Sequence, residues 1–405
     1  MSERLNSSFI RLAAACAAIT TAGAVHGQTV IYVDDDAPDG GDGSTWETGF
    51  NDLQFALWAS QVIADSVEIR IADGVYLPSQ TGRTYDTFDL TTHGSVSGFT
   101  LELRGGFRGL GGGGSPNERD LNEFHSVLSG DLNGDDLPNF ENYRDNTNQI
   151  MVIGSNNSRR IIRLDGLTFR GANGFNSRNG GGLSLSSHRA IITIANCVFT
   201  ENSGDRGGGA YLYAGEVAFV NTLFLNNLSS DGGGGVYLSE VDRTVVSNCT
   251  FVGNQSRDGA IGGSSLNDDA VVNCVFGPYN LGGSVASMVG VKYSLTLDWI
   301  KGEGIIFDLP RFVDPEHGNY RLRSDSRGID SGNTLLAIRA DSLDFDGFPR
   351  VIDIASVADT GVSEFSVIDM GMFEYQGCPG DFNEDGQLNS QDLLTFLNLY
   401  ANGCP

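Results

Sequence analysis

Between residues 164 and 280 apolar and polar positions alternate in short runs, and one run returns about every 25 to 30 positions. The copies read LDGLTFRGAN from Leu164, NCVFTENSGDRGGGAYLY from Asn196, NTLFLNNLSSDGGGGVYLS from Asn221, NCTFVGNQSRDGAIGGSSL from Asn248 and NCVFGPYN from Asn273. Aligned, they place Phe169, Phe199, Phe224, Phe251 and Phe276 in one column, with Leu167, Cys197, Thr222, Cys249 and Cys274 two residues earlier. Residues two apart on a strand point the same way, so both columns are expected to face an interior. The column before them, Gly166, Asn196, Asn221, Asn248 and Asn273, holds only residue types that readily accept positive φ. It predicts a sharp bend in each copy, with asparagine serving as a turn residue. A second strand is expected after each glycine run, at 182–185, 209–212, 235–238 and 263–266, with Ser or Tyr on its outer face.

A period in this range marks a solenoid, and the absence of a 3.6-residue rhythm excludes helical repeats. Two to three short strands per coil with no room for a helix specify an all-β parallel β-helix, its coils about 4.8 Å apart and its equivalent side chains in ladders. The NCxF phrases and GGG-x-Y-L strands resemble the right-handed parallel β-helix proteins of the pectin-lyase-like superfamily. That resemblance implies the fold. Polysaccharide lyase or glycoside hydrolase activity is what some of its members would suggest, and fold alone does not settle chemistry.

The remaining chain divides around this block. Residues 1–27 have the pattern of a secretory signal, with Arg4 and Arg11 before an Ala-rich apolar run and small residues ahead of Gln28. The run is too short and too rich in Ala and Thr for a transmembrane anchor. Residues 28–148 read as an N-terminal cap and first coils: a strand at 30–33, a helix carrying Leu53, Leu57 and Trp58 with Asn51 as N-cap, then strands from Val67 and Phe99. This order resembles the cap of secreted β-helix proteins. Residues 149–377 hold the repeats and a less periodic region containing Gly328-Ile329-Asp330-Ser331-Gly332 and Asp369-Met370-Gly371, which resembles the segment that finishes the last coils of such proteins.

Residues 378–405 carry the most specific motif. Counting from Asp381, oxygen-bearing side chains fall at positions 1, 3, 5, 9 and 12 as Asp381, Asn383, Asp385, Asn389 and Asp392. Gly386 stands at position 6, and Gln387 at 7 offers its carbonyl, which is the pattern of a calcium loop. An apolar-faced helix is expected to start near Ser390. The segment resembles a dockerin module, with one repeat where dockerins usually carry two, and the resemblance implies Ca²⁺ and a cohesin-like or envelope partner. Cys378 and Cys404 bracket it and are expected to pair outside the cell, whereas Cys197, Cys249 and Cys274 read as a buried thiol ladder. Asp131, Asn133 and Asp135 repeat the alternating calcium pattern, but Asp136 stands where the loop needs glycine, and an ordinary polar excursion competes.

Net charge narrows the partners. At −26, with Lys292 and Lys301 the only lysines, the chain is a poor match for nucleic acid or an anionic membrane. Two outer columns invite function. Asp205, Asp231 and Asp258 precede glycine runs, and stacking would make them raise one another's pKa as catalytic carboxylates do, unless they are only turn residues. Tyr211, Tyr213 and Tyr237 are expected to face outward as a platform for sugar rings, with Ser184 and Ser239 as hydrogen-bonding neighbours, unless they serve strand propensity alone. The favoured reading is a non-enzymatic extracellular or surface-attached scaffold that binds polysaccharide or another surface component. A cleft with converging acid–base groups would instead indicate an enzyme.

Overall fold

The computed structural model describes residues 28–63, 66–90, 99–154, 160–175, 180–187, 189–213, 215–263, 271–280, 290–337, 343–354, 357–364 and 366–377, with Ser390, Gln391, Leu393, Leu394 and Leu397 beyond them. The expected signal segment, calcium loop and Cys378–Cys404 pair lie outside these residues. Three long sheets run along the molecule, of nine, nine and six strands, and every pairing within them is parallel. The first sheet starts at Thr29–Val33 and passes through Ala190–Ala195 and Glu216–Val220 to Val291–Lys292. The second starts at Gly74–Tyr76, contains the phenylalanine strands and ends at Ile306–Phe307. The third includes Leu183–Ser186, Ala210–Tyr213 and Val236–Ser239. The chain is a parallel β-helix.

The phenylalanine column is in register on five successive strands. Its rings are fully buried and stack with centroids 4.6 to 5.1 Å apart. Cys197, Cys249 and Cys274 are buried free thiols at the neighbouring inward position. Asn196, Asn221, Asn248 and Asn273 all have φ between 48° and 54°, and Gly166 has 71°, so the chain bends where expected. These asparagines do more than turn the chain. Asn221 bonds Arg350 and the Leu343 carbonyl, Asn248 donates to the Asp369 carbonyl, and Asn273 exchanges bonds with the Asn333 backbone.

A second asparagine row lies at the next corner. Asn202, Asn227 and Asn254 are fully buried, and each donates both to an Asn one coil on and to a carbonyl of the coil before. The row ends at Asn280, which donates to the Phe251 carbonyl. A buried amide in such a chain keeps its polar atoms partnered, which is what allows polar residues inside an apolar solenoid.

The last glycine-run strand is offset from its expected place. Val236 pairs with Ile261 and Leu238 with Gly263, so the described strand is Ile261–Gly263, three positions ahead of the expected register, and 264–266 of the expected strand lie outside the described residues. Ala260 is buried and sits one residue before that strand, where Gly235 sits before Val236. Ile261 is buried opposite Val236 and supplies the inward side chain of this strand.

Helix α1 (Leu53–Gln61) buries Leu53, Ala56 and Leu57 in the core that lines the first coils, while Trp58 is exposed. Its N-cap is Asp52, whose carboxylate accepts from the Gln54 amide at 2.8 Å, and not Asn51, which donates to Asp39 instead. At the other end the chain does more than finish the last coil. After the antiparallel pair Phe312–Asp314 and Asn319–Leu322, it folds back along the outer face of the second sheet. Leu223, Val252 and Val275 there pack with Phe312, Tyr320, Met370, Met372 and Phe373 as a second apolar core.

Candidate functional site

The aspartate column sits on Ser203–Arg206, Leu228–Gly232 and the turn after Gln255, where the register slips between coils. It is a row of ion pairs. Arg206 Nε meets Asp231 at 2.8 Å, and Arg257 meets Asp231 at 3.3 Å and Asp258 at 3.1 Å. Asp205 receives a long contact from the Ser230 hydroxyl, 3.4 Å. The hydrogen bond from Arg206 holds the Asp231 carboxyl below its ordinary range, opposite to the elevation expected of stacked carboxylates. Interleaved arginines are the cause, and an ionised, paired Asp231 is poorly suited to donate a proton.

Tyr211 and Tyr237 are neighbours in register with rings 5.8 Å apart and nearly parallel, so much of their facing surface is used by one another. The Arg206 guanidinium lies 5.4 Å from the Tyr237 centroid. In register, the pair is bracketed by Ser184 and Gly262, neither with a side chain large enough to cover an outer ring face. Ser184 is itself buried, so it is not the exposed hydrogen-bonding neighbour the sequence suggested. Tyr213 pairs with Ser239, and its hydroxyl donates to Glu240 at 2.9 Å.

A larger charged face was missed. On the first sheet, Glu68, Glu102 and Arg163 form one row across strands Val67–Ala72, Phe99–Phe107 and Arg160–Asp165, and Arg70, Arg104 and Asp165 form the next. Glu68 bonds both Arg70 and Arg104, at 3.0 and 3.1 Å, and Asp165 bonds Arg119 and Arg163, at 2.9 and 3.0 Å. Phe107 lies within 6 Å of three of these guanidinium groups, and Trp46 and Arg70 both donate to Asn117. The recurring E-x-R of VEIRIA and LELRGG is the signal that could have exposed it.

The closing segment creates a cleft of about 670 Å³ over the outer face of the second sheet. Val198, Leu223 and Leu225 line it from the sheet, His125 from the N-terminal loop, and His317, Arg321 and Phe373 from the closing segment. Arg170 is paired with Glu201, and Arg321 with Asp346 and Asn122. His317 contacts Asp314 at 2.9 Å.

For a metal, Asp131, Asp135 and Asp145 bring carboxylate oxygens within 4.8 Å of one another, and Asn133 between the first two is exposed. Asp131 is engaged by the amides of Gly134, Asp135 and Asp136. Burial pushes the Asp136 carboxyl to about 6. Asp381, Asn383, Asp385, Gln387, Asn389 and Asp392 fall outside the described residues. Ser390, Gln391, Leu393, Leu394 and Leu397 are helical, as expected for the segment after the loop.

Among the described residues no helix is long and apolar enough to cross a membrane. No protein-family model and no curated protein matches the chain. Among solved structures it is similar to pectate lyase Pel9A, at 11% identity over 87% of this chain and 97% of that one, with a TM-score of 0.35. It is also similar to Escherichia coli ybhc, at 12% identity over 67% and 72%, with a TM-score of 0.26. Likenesses this distant carry no chemistry to this chain, and the fold stands on its own strand registers.

Proposed function

We propose that this chain is an extracellular or surface-attached scaffold that binds polysaccharide on the outer face of its repeats without cleaving it, held in place by a C-terminal calcium-binding module. The observation that carries this reading is the pairing of outward charge along the coils. Arg206, Asp231, Arg257 and Asp258 neutralise one another, as do the arginines and carboxylates of the first sheet. Catalytic acids and bases need one member kept at an unusual pKa, and Asp231 is shifted away from proton donation. Tyr211 and Tyr237, rimmed by Arg206, offer the aromatic and hydrogen-bonding surface a sugar ring needs. The net charge favours a neutral glycan over an acidic one. Glycan-array binding tests it: signal on at least one polysaccharide class, lost in Tyr237→Ala, supports the reading. An array without signal refutes it.

The cleft supports a second reading, a polysaccharide lyase or glycoside hydrolase, because His125 and His317 line a groove of glycan-binding size. Release of unsaturated or reducing ends from a polysaccharide, abolished in His317→Ala, would establish it in place of the first.

A further inference from the structure

The closing segment contains a buried carboxyl that no cation answers among the described residues. Asp330, in the Gly328-Ile329-Asp330-Ser331-Gly332 stretch, is fully buried, and by distance and angle neither carboxylate oxygen forms a hydrogen bond among the described residues. Its backbone is locked on both sides. The Asp330 N–H donates to Asp369 at 2.7 Å, and its carbonyl accepts from the amides of Thr360 and Gly361. With φ at 47°, these bonds fix where the side chain projects. It projects toward acid: its carboxylate lies within 4.8 Å of those of Asp353 and Asp359, both exposed. None of the three joins an ion pair among the described residues. Burial pushes the Asp330 carboxyl to about 6; the Ile354 backbone amide draws it down, and Asp359 and Asp353 push it up.

An unpartnered buried carboxylate is costly, and two more carboxylates beside it add to the cost. A cation between them removes both. We propose that Asp330, Asp353 and Asp359 form a calcium-class divalent-cation site that fastens the stretch carrying Asp353 and Asp359 to the body of the closing segment. The donor set is oxygen only, with neither His nor Cys in the group, which suits a hard cation over zinc or copper. Two of its ligands are exposed, on either side of the hydrogen bond from the Val357 amide to the Ile354 carbonyl, so the site can adapt to the longer, less regular coordination that calcium accepts and magnesium does not. The third is rigid. The site is therefore half-built, and the ion completes it.

The cation has a structural consequence for the cleft. The stretch it would hold bonds to Asp330, Asp330 bonds to Asp369, and the Asp369 carbonyl accepts from Asn248 of the solenoid. Calcium would thus tighten the closing segment against the second sheet, where it forms one wall of the cleft.

Hydrogen exchange on the full chain, in millimolar calcium chloride against chelator, tests the proposal. Peptides covering 328–332 and 351–361 should exchange about tenfold more slowly with calcium, as expected when an ion stabilises a local unit. Peptides from 378–405 report the C-terminal module separately, so the two sites are read independently. Asp330→Asn should abolish the protection at 351–361 and leave any response in 378–405 intact. Because Asp330 is buried, the double variant Asp353→Asn/Asp359→Asn, at two exposed positions, repeats the test where folding is not at risk. Protection at 351–361 that is absent in the wild type, or undiminished in the double variant, overturns the site. Equal protection by magnesium chloride at the same concentration overturns the calcium-class assignment.

Discussion

Replacing Asn227 with alanine probes the feature on which the interior most depends. Its amide donates to the Phe199 carbonyl at 2.8 Å and to Asn254 Oδ1 at 2.9 Å, and its oxygen accepts from the Asn202 amide and Nδ2, both at 3.1 Å. All of this occurs where no solvent reaches, since Asn202, Asn227 and Asn254 are fully buried. Truncation strips a partner from at least two buried groups, the Asn202 N–H and the Phe199 carbonyl. At about 1 to 3 kcal/mol for each stranded group, the expected cost is about 2 to 6 kcal/mol. Asn226 is the control: it is adjacent and exposed and, unlike Asn227, stands at positive φ, so Asn226→Ala should cost about 1 kcal/mol, a backbone effect alone. Urea unfolding followed by far-ultraviolet circular dichroism measures both. An Asn227→Ala loss within about 1 kcal/mol of Asn226→Ala would show that water replaces the amide, and would refute the claim that the row holds the coils.

Phe224→Ala should destabilise the solenoid by about 3 to 5 kcal/mol, because the ring is fully buried between Phe199 and Phe251; a loss under about 1 kcal/mol in the same assay would mean that the stack carries little energy. Burial alone would raise the Asp165 carboxyl, but Arg119 and Arg163 outweigh it and hold it below the ordinary range. A carboxyl lowered by folding adds stability that is complete above its unfolded pKa of about 3.9 and lost as pH falls through the folded value. Asp165→Asn should therefore lower Tm at pH 7 and flatten the acid limb of Tm against pH, and an unchanged limb would contradict the pairing. Calcium titration of the full chain carrying Asp353→Asn/Asp359→Asn, which removes the closing-segment site, should show a site with Kd on the order of 10⁻⁴ to 10⁻³ M that disappears when Asp381→Ala is added, and its persistence would remove the C-terminal loop as the ligand.

The interior was legible because a solenoid repeats its rules. The phenylalanine and cysteine columns and the Gly166–Asn273 bends recur at the same place in each copy, so each position is read several times. Where one copy broke the rule, the reading slipped: AIGG at 260–263 stands opposite GVYL at 235–238, and Ile261 claimed the inward place. The closing segment was misjudged for a different reason. Leu223 and Leu225 flank Phe224, so the strand is apolar on both faces, which marks a sheet covered on both sides. That pattern stood in the sequence, but what covers the outer face is some hundred residues away and shares no period with it. The aspartate column shows the limit for sites. Its positions were legible; that Arg206 and Arg257 interleave with Asp231 and Asp258 depends on a register slip that no spacing displays.

The central claim, binding without cleavage, is tested by the chain length of a polysaccharide after prolonged contact with the protein. A glycan that the array identifies as bound is incubated with the wild-type chain in calcium, then released and sized by gel filtration. The account predicts an unchanged length distribution with neither new reducing ends nor unsaturated ends. Shortened chains whose formation requires His317 or Asp231 would contradict it, and would make the cleft or the aspartate row an active site.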